Sequence, residues 1–366
     1  MITVTKPSLP DFEKVRPYLE QIWETKLLSN NGPLHAELEH QLADRLGVEH
    51  VSLFCNATVA LITAQQALGV SGEVITTPYS FVATAHAIHW MRNIPVFVDV
   101  EPDSLCLDPA MVEAAITENT KAIMPLHCYG NTCATAALQR VADQYNLKII
   151  YDACHSFGVD DEDGTVLRHG DISVVSFHAT KVFNTFEGGL LVSRSAELKA
   201  RVDHLKNFGF ENEVSVVGPG INGKMSEFNA AVGLAQLTEF DAVLAKRGAL
   251  DRLYRELLAP VRGIRCQSPI RQTKRNFAYF PIFVENEYPM SRDDLYRRLL
   301  ENGVHSRRYF YPLISDFPPY HELESAQITR LPVAAAASNK VICLPLYADL
   351  LADEVRHVCS VIRGII

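Results

Sequence analysis

The chain holds no run approaching the roughly 20 consecutive apolar residues that span a bilayer. Its opening, MITVTKPSLPDFEKV, lacks the basic-then-apolar order of an export signal. Both absences predict a cytoplasmic protein without a membrane partner. No block of Lys or Arg stands out, and 34 basic residues against 43 acidic ones leave a net charge of -9, which excludes a broad electrostatic footprint for nucleic acid. Any phosphate recognition is therefore local. None of the eight Cys forms a C-x-x-C pair, and Cys55, Cys154 and Cys343 sit in apolar runs, a pattern of reduced thiols rather than of a disulfide framework. His127 with Cys128, and His86 with His89, supply no four-ligand set, so no metal site is expected.

What is present suffices for a large core: 366 residues, 48% of them hydrophobic. Phe12, Val15, Leu19, Ile22 and Trp23 recur at helical spacing after Pro10 and predict an amphipathic helix over 11–26, with Pro17 near its first turn. Between about 50 and 195, short β-branched runs (VSLF, EVITT, VFVDV, KAIMPL, LKIIYD, ISVVSF, GLLVS) alternate with helical patterns. That alternation predicts an α/β fold with a mainly parallel sheet flanked by helices. A long helical pattern over 224–258 leads into AYFPIFV, a helix after Ser291 and VICLPL. The change of pattern predicts a large domain over 1–250 and a smaller C-terminal α+β domain over 251–366.

Chemistry concentrates between Ile149 and Gly189. In open α/β sheets ligands lie outside the carboxyl ends of the strands, which is where IIYD delivers Asp152. A carboxylate there can keep a pyridine nitrogen protonated. Lys181 follows a strand ending near Ser176 and precedes the Gly188–Gly189 pair, so an amine and a phosphate-binding hydroxyl come to the same edge. Acid, amine and hydroxyl together match pyridoxal 5'-phosphate, whose aldehyde condenses with a lysine.

Further residues extend that set. Asn56, Ala57 and Thr58 begin a helix after VSLF, where unpaired amides and the helix dipole suit an anion. Phe81, just past EVITT, can cover a ring face, and His155 lies three residues beyond Asp152. Each has a plainer reading: Asp152 and Asn56 as caps, Phe81 as core, His155 as a structural histidine, Lys181 as a solvated amine. The G-x-G-x-x-G formed by Gly218, Gly220 and Gly223 is a formal match to a nicotinamide site. Pro219 stiffens it, and no strand ending in an acid follows about 20 residues on.

The ordered set NNGP (30–33), FCNATVAL (54–61), TTPYSFVATA (76–85), PLHCYG (125–130), YDACHSFGV (151–159), GDISVVSFHATKVFNTFEGG (170–189) and GINGKMSEFNAAVGLAQL (220–237) resembles the DegT/DnrJ/EryC1/StrS sugar aminotransferases. These belong to the fold-type I pyridoxal phosphate enzymes. The likeness spans nearly the whole chain and implies a seven-stranded, mainly parallel sheet in the large domain. It implies that Lys181 bonds the cofactor aldehyde, Asp152 pairs with the ring nitrogen and His155, positioned to meet the cofactor's hydroxyl or its ring face, stands where the family usually has Gln or His. Ser176, Ala57 and Thr58 would hold the phosphate, and Phe81 would stack. Asn222 matches a residue that in the family reaches the neighbouring subunit's cofactor phosphate, so a homodimer with shared active sites is expected. Many members have Ser-Gly-Thr where this chain has Asn56-Ala57-Thr58, and an Arg or Tyr where Gly223 stands.

The run around Lys181 looks most like members that aminate C4 of a dTDP-4-keto-6-deoxyhexose. The expected substrates are L-glutamate, leaving as 2-oxoglutarate, and dTDP-4-keto-6-deoxyglucose, giving dTDP-4-amino-4,6-dideoxyglucose for an O-antigen or similar lipopolysaccharide sugar. Arg offers planar donors to a diphosphate, and Arg308, Tyr309 and Lys224 are the substrate candidates. Alternatives are the galacto epimer, a UDP- or GDP-linked sugar, or a cofactor-binding regulatory protein without turnover.

Overall fold

All seven β-branched runs form strands of one sheet. In the computed structural model, which describes residues 1–364, these are β1 (Val51–Phe54), β2 (Glu73–Thr76), β3 (Ile94–Phe97), β4 (Thr120–Met124), β5 (Lys148–Asp152), β6 (Ile172–Ser176) and β7 (Gly189–Ser193). Their spatial order is β1-β7-β6-β5-β4-β2-β3. Neighbours are parallel except at β7, which runs antiparallel to both β1 and β6.

Every residue of β1, β6 and β7 is buried, as a sheet covered on both faces demands. Alternation assigns the faces. Leu53, Val175 and Leu190 pack with Leu34, Leu38 and Leu42 of helix Pro33–Leu46 and with Ala230 and Leu234 of helix Glu227–Leu258. Val174 and Leu191 face the other way, onto Ala60, Leu61 and Ala64 of helix Ala57–Ala67. The N-terminal helix forms over Phe12–Thr25, with the Asp11 side chain accepting from the Glu13 amide. Only part of its apolar stripe is used, because Val15 and Ile22 are buried while Phe12 and Trp23 stand in solvent.

Toward the C-terminus, strands Ile264–Cys266, Phe280–Val284 and Val341–Leu344 make a three-stranded antiparallel sheet. Helix Glu227–Leu258 runs unbroken through residue 250 and also supplies Leu250, Tyr254 and Leu258 to the core beneath that sheet. Ile2–Thr3 pairs with Val304–His305, returning the chain's first residues to this region. Gly218, Gly220 and Gly223 precede a 32-residue helix that leads into the antiparallel sheet, so they open no βαβ unit. Among the described residues no helix is long and apolar enough to cross a membrane, and all eight thiols are free.

Candidate active site

Parallel alignment brings the C-terminal ends of β1, β2, β5 and β6 to one edge of the sheet, and β7, running the other way, begins there. Asp152 is the last residue of β5 and only 4% exposed. Its Oδ2 accepts from the Thr84 hydroxyl at 2.8 Å and its Oδ1 from the Cys154 amide at 3.2 Å. Among the described residues no cation pairs with it. A carboxylate buried without a cation in direct contact is costly, and a cationic ring nitrogen bound against it would relieve that cost.

Lys181 lies on the connection 177–188, which is held at both ends. The Phe177 amide donates to the Gly188 carbonyl at 2.9 Å and the Thr185 amide to the Phe177 carbonyl at 3.0 Å. Phe177 and Phe183 flank the lysine and meet each other at 4.8 Å, with Phe183 stacked on Phe157 at 4.4 Å. The half-buried amine donates to the Tyr279 hydroxyl at 3.4 Å. Burial pushes it down, but Tyr279, Cys154 and Asp152 outweigh that and hold it above the ordinary lysine value. Burial raises the Tyr279 phenol and the Cys154 thiol themselves.

His155 is 4% exposed. Its Nδ1 accepts from the Tyr129 amide at 3.2 Å, which leaves the proton on Nε2. Burial foremost, then Lys181 and His127, hold this imidazole well below its usual value, so it is neutral. Tyr279 meets the ring edge-on at 4.8 Å and Phe310 lies parallel to it at 6.0 Å.

Ser176 ends β6, beside Gly189 in the register, and its hydroxyl accepts from the His178 amide at 3.3 Å. A Cβ on Gly189 would lie 2.8 Å from the Asn56 carbonyl carbon and 2.9 Å from the Ala57 nitrogen. Glycine is what lets β7 begin this near to helix Ala57–Ala67. At that helix start the Asn56 side chain caps the Val59 amide at 2.9 Å, while the amides of Ala57 and Thr58 are among those a helix leaves unpaired. A hydroxyl and two amides at one edge suit a phosphate.

The structure thus brings Asp152, His155, Ser176, Lys181, Ala57 and Thr58 to one edge. Phe81 lies on the turn that carries Thr84, its carbonyl accepting from the Thr84 amide at 3.2 Å, with its ring 62% exposed. Tyr309 joins through Tyr279, ring to ring at 5.9 Å, and its carbonyl accepts from the Tyr79 hydroxyl at 3.2 Å and from the Tyr129 hydroxyl. Arg308 is turned to Asp293 at 2.7 Å and lies over the Tyr296 and Tyr311 rings. Lys224 donates to Asn207 at 2.9 Å and covers the Phe208 ring. Asn222 is exposed on a segment whose Gly223 carbonyl accepts from the Cys55 amide at 2.8 Å, beside the end of β1. Sequence reasoning missed three contacts: Thr84, Tyr129 and Tyr279. The first two lie inside TTPYSFVATA and PLHCYG, where their hydroxyls were the available signal.

In chemical terms the edge offers a carboxylate to a ring nitrogen, an amine to an aldehyde, and a hydroxyl with helix amides to a phosphate. The chain matches the DegT/DnrJ/EryC1/StrS aminotransferase family over residues 11–363. It is 53% identical over 364 residues to the dTDP-4-amino-4,6-dideoxy-D-glucose transaminase of Shigella dysenteriae, covering 100% of this chain and 99% of that one. The protein of the same name from Escherichia coli is 50% identical over 365 residues, covering 99% and 98%. Among solved structures, DesI in the presence of its TDP-sugar product superposes with a TM-score of 0.93 at 35% identity, over 99% of this chain and 92% of that one.

Proposed function

We propose, on the premise that this chain belongs to the DegT/DnrJ/EryC1/StrS aminotransferase family, that it moves the amino group of L-glutamate to C4 of dTDP-4-keto-6-deoxyglucose, giving dTDP-4-amino-4,6-dideoxyglucose. The observation that carries the reaction type is the convergence of Asp152 and Lys181 at one strand edge, neither of them in an ion pair among the described residues. The substrate is carried by near-full-length identity of 50% and more to two transaminases named for that amino sugar.

When bound, pyridoxal 5'-phosphate supplies an aldehyde carbon that accepts the amino group and a protonated ring that draws electrons from the carbon losing its proton. Asp152 would keep the proton on the ring nitrogen. Ser176 with the Ala57 and Thr58 amides would fix the phosphate, and Phe81 would cover one ring face. His155, neutral and with its hydrogen on Nε2, would orient the ring without adding charge. Lys181 would take a proton from the substrate carbon of glutamate and later return one at C4 of the sugar, work that needs a free amine held beside the reacting carbon. Tyr309, Arg308 and Lys224 are assigned to the sugar nucleotide. In this reading residues 1–250 form the cofactor-binding domain and 251–366 the smaller one.

Incubating the cofactor-loaded protein with glutamate and a panel of dTDP-, UDP- and GDP-4-keto-6-deoxy sugars should release 2-oxoglutarate with the dTDP-gluco substrate first, and the product should carry an equatorial C4 amine. Preference for a UDP or GDP sugar, or an axial amine, would replace the substrate assignment. Silence with all of them would leave the regulatory alternative.

The working unit in this reading is a homodimer in which Asn222 serves the partner's phosphate site. Exposed Phe210, Val214, Val216, Val217 and Ile221 precede it in the chain, with Val214 94% exposed, and apolar side chains exposed together on one segment suit a contact surface. Mixing Lys181→Ala with Asn222→Ala protein, each inactive or nearly so, should restore turnover, because a mixed dimer assembles one intact site. Mixtures no more active than their components would argue against a shared site.

A further inference from the structure

Tyr279 sits far in sequence from the loop that carries Lys181, yet the backbone around it is fastened from several sides. Arg247, buried on helix Glu227–Leu258, donates to the carbonyls of Phe277 at 2.9 Å and Ala278 at 3.0 Å. Asn276 donates to the carbonyls of His155 at 2.8 Å and Phe157 at 3.0 Å and accepts from the Ala278 amide at 3.1 Å. A side chain delivered from so fixed a backbone has little freedom of its own. Its ring packs on His155, on Tyr129 at 5.5 Å and on Tyr309. Its hydroxyl is the polar side-chain partner of the Lys181 amine among the described residues.

We propose that Tyr279 is a positioning residue for Lys181: its hydroxyl oxygen accepts a hydrogen bond from the amine, fixes where Nζ stands and stabilises its protonated form. The inference rests on the transaminase reading and deepens it at one residue. An ammonium gains more from such a bond than a neutral amine does, so the hydroxyl favours the charged state. The groups facing Lys181 are Tyr279, Cys154, Asp152 and the neutral His155; those facing Tyr279 are Lys181, Tyr309, Cys343 and the Arg247 cation. Removing the Tyr279 hydroxyl leaves the charge of Asp152 and Arg247 in place, so a change in the amine's basicity reports the hydroxyl.

The test uses cofactor-free full-length protein, with 2,4,6-trinitrobenzenesulfonate reacting only with unprotonated amine and labelling read on the peptide containing residue 181. Tyr279→Phe keeps the ring, and Tyr279→Met provides a second hydroxyl-free side chain should the first not fold. Either should lower the amine's titration midpoint by about half a unit, raising the labelling rate at pH 9 about three-fold. In loaded enzyme kcat should fall about five-fold or more while KM for glutamate stays within about two-fold, as expected for a group acting through the base. An unmoved midpoint overturns the assignment whatever the kinetics. Because the labelling needs no cofactor, loss of the transaminase reading, seen as wild-type protein that never transfers an amino group, is a separate result.

Discussion

Lys181→Ala is expected to abolish amino transfer, with kcat lowered by at least about a thousand-fold, while the protein still folds. The two expectations have separate physical sources. The loop is held by Phe177 and Phe183 and by the Phe177–Gly188 and Thr185–Phe177 backbone bonds, none of which involves the amine. In the proposed reaction, removing the amine would delete a proton carrier and a cofactor attachment point while leaving those anchors alone. Glutamate-dependent release of 2-oxoglutarate, read beside a melting curve, checks both. A variant keeping a tenth of the turnover would take Lys181 out of the reaction; one that lost its melting transition would mean the loop depends on the amine after all.

Asp152→Asn is the second large effect: kcat should drop about a hundred-fold or more, and cofactor retention should weaken. The amide is nearly isosteric and can still accept from the Cys154 amide and meet the Thr84 hydroxyl, so what is lost is charge. In the proposed site, loss of the anion would remove the group that keeps the ring nitrogen protonated. The cofactor-free variant should melt at the same temperature as wild type or above it, because a buried carboxylate that forms no salt bridge, and feels Lys181 only at longer range, is replaced by a neutral group. Activity falling while stability holds or rises is the signature of a charge kept for chemistry. Parallel losses of both would recast Asp152 as a structural cap.

The sheet was legible because β-branched runs bounded by turns have few other uses. The direction of β7 was not, since GLLVS reads the same either way. The clue lay in the connection 177–188, which contains no helix, whereas a parallel crossover requires one or a comparable length of chain. Asp152, Ser176 and Lys181 were legible for a positional reason: strand ends deliver their last polar residues to the ligand edge. The roles proposed for His155, Phe81 and Asn222 came from the motif resemblance, since no local pattern points to them. Tyr279 escaped because AYFPIFV looks like core, and its hydroxyl matters only through a partner 98 positions away. Arg308 pairs with Asp293, 15 positions earlier in the first turn of helix Arg292–Glu301, a contact that sequence pattern does not resolve.

The reversed seventh strand constrains how the site can work. Its partner in the register is the strand just before the lysine, so the loop's two feet stand one strand spacing apart, about 4.8 Å. The interior of that loop is pinned as well, by the Thr185–Phe177 bond and the Phe183–Phe157 stack. Under the proposed function Lys181 would thus stand on a floor continuous with the sheet, and the sugar nucleotide would be brought to it.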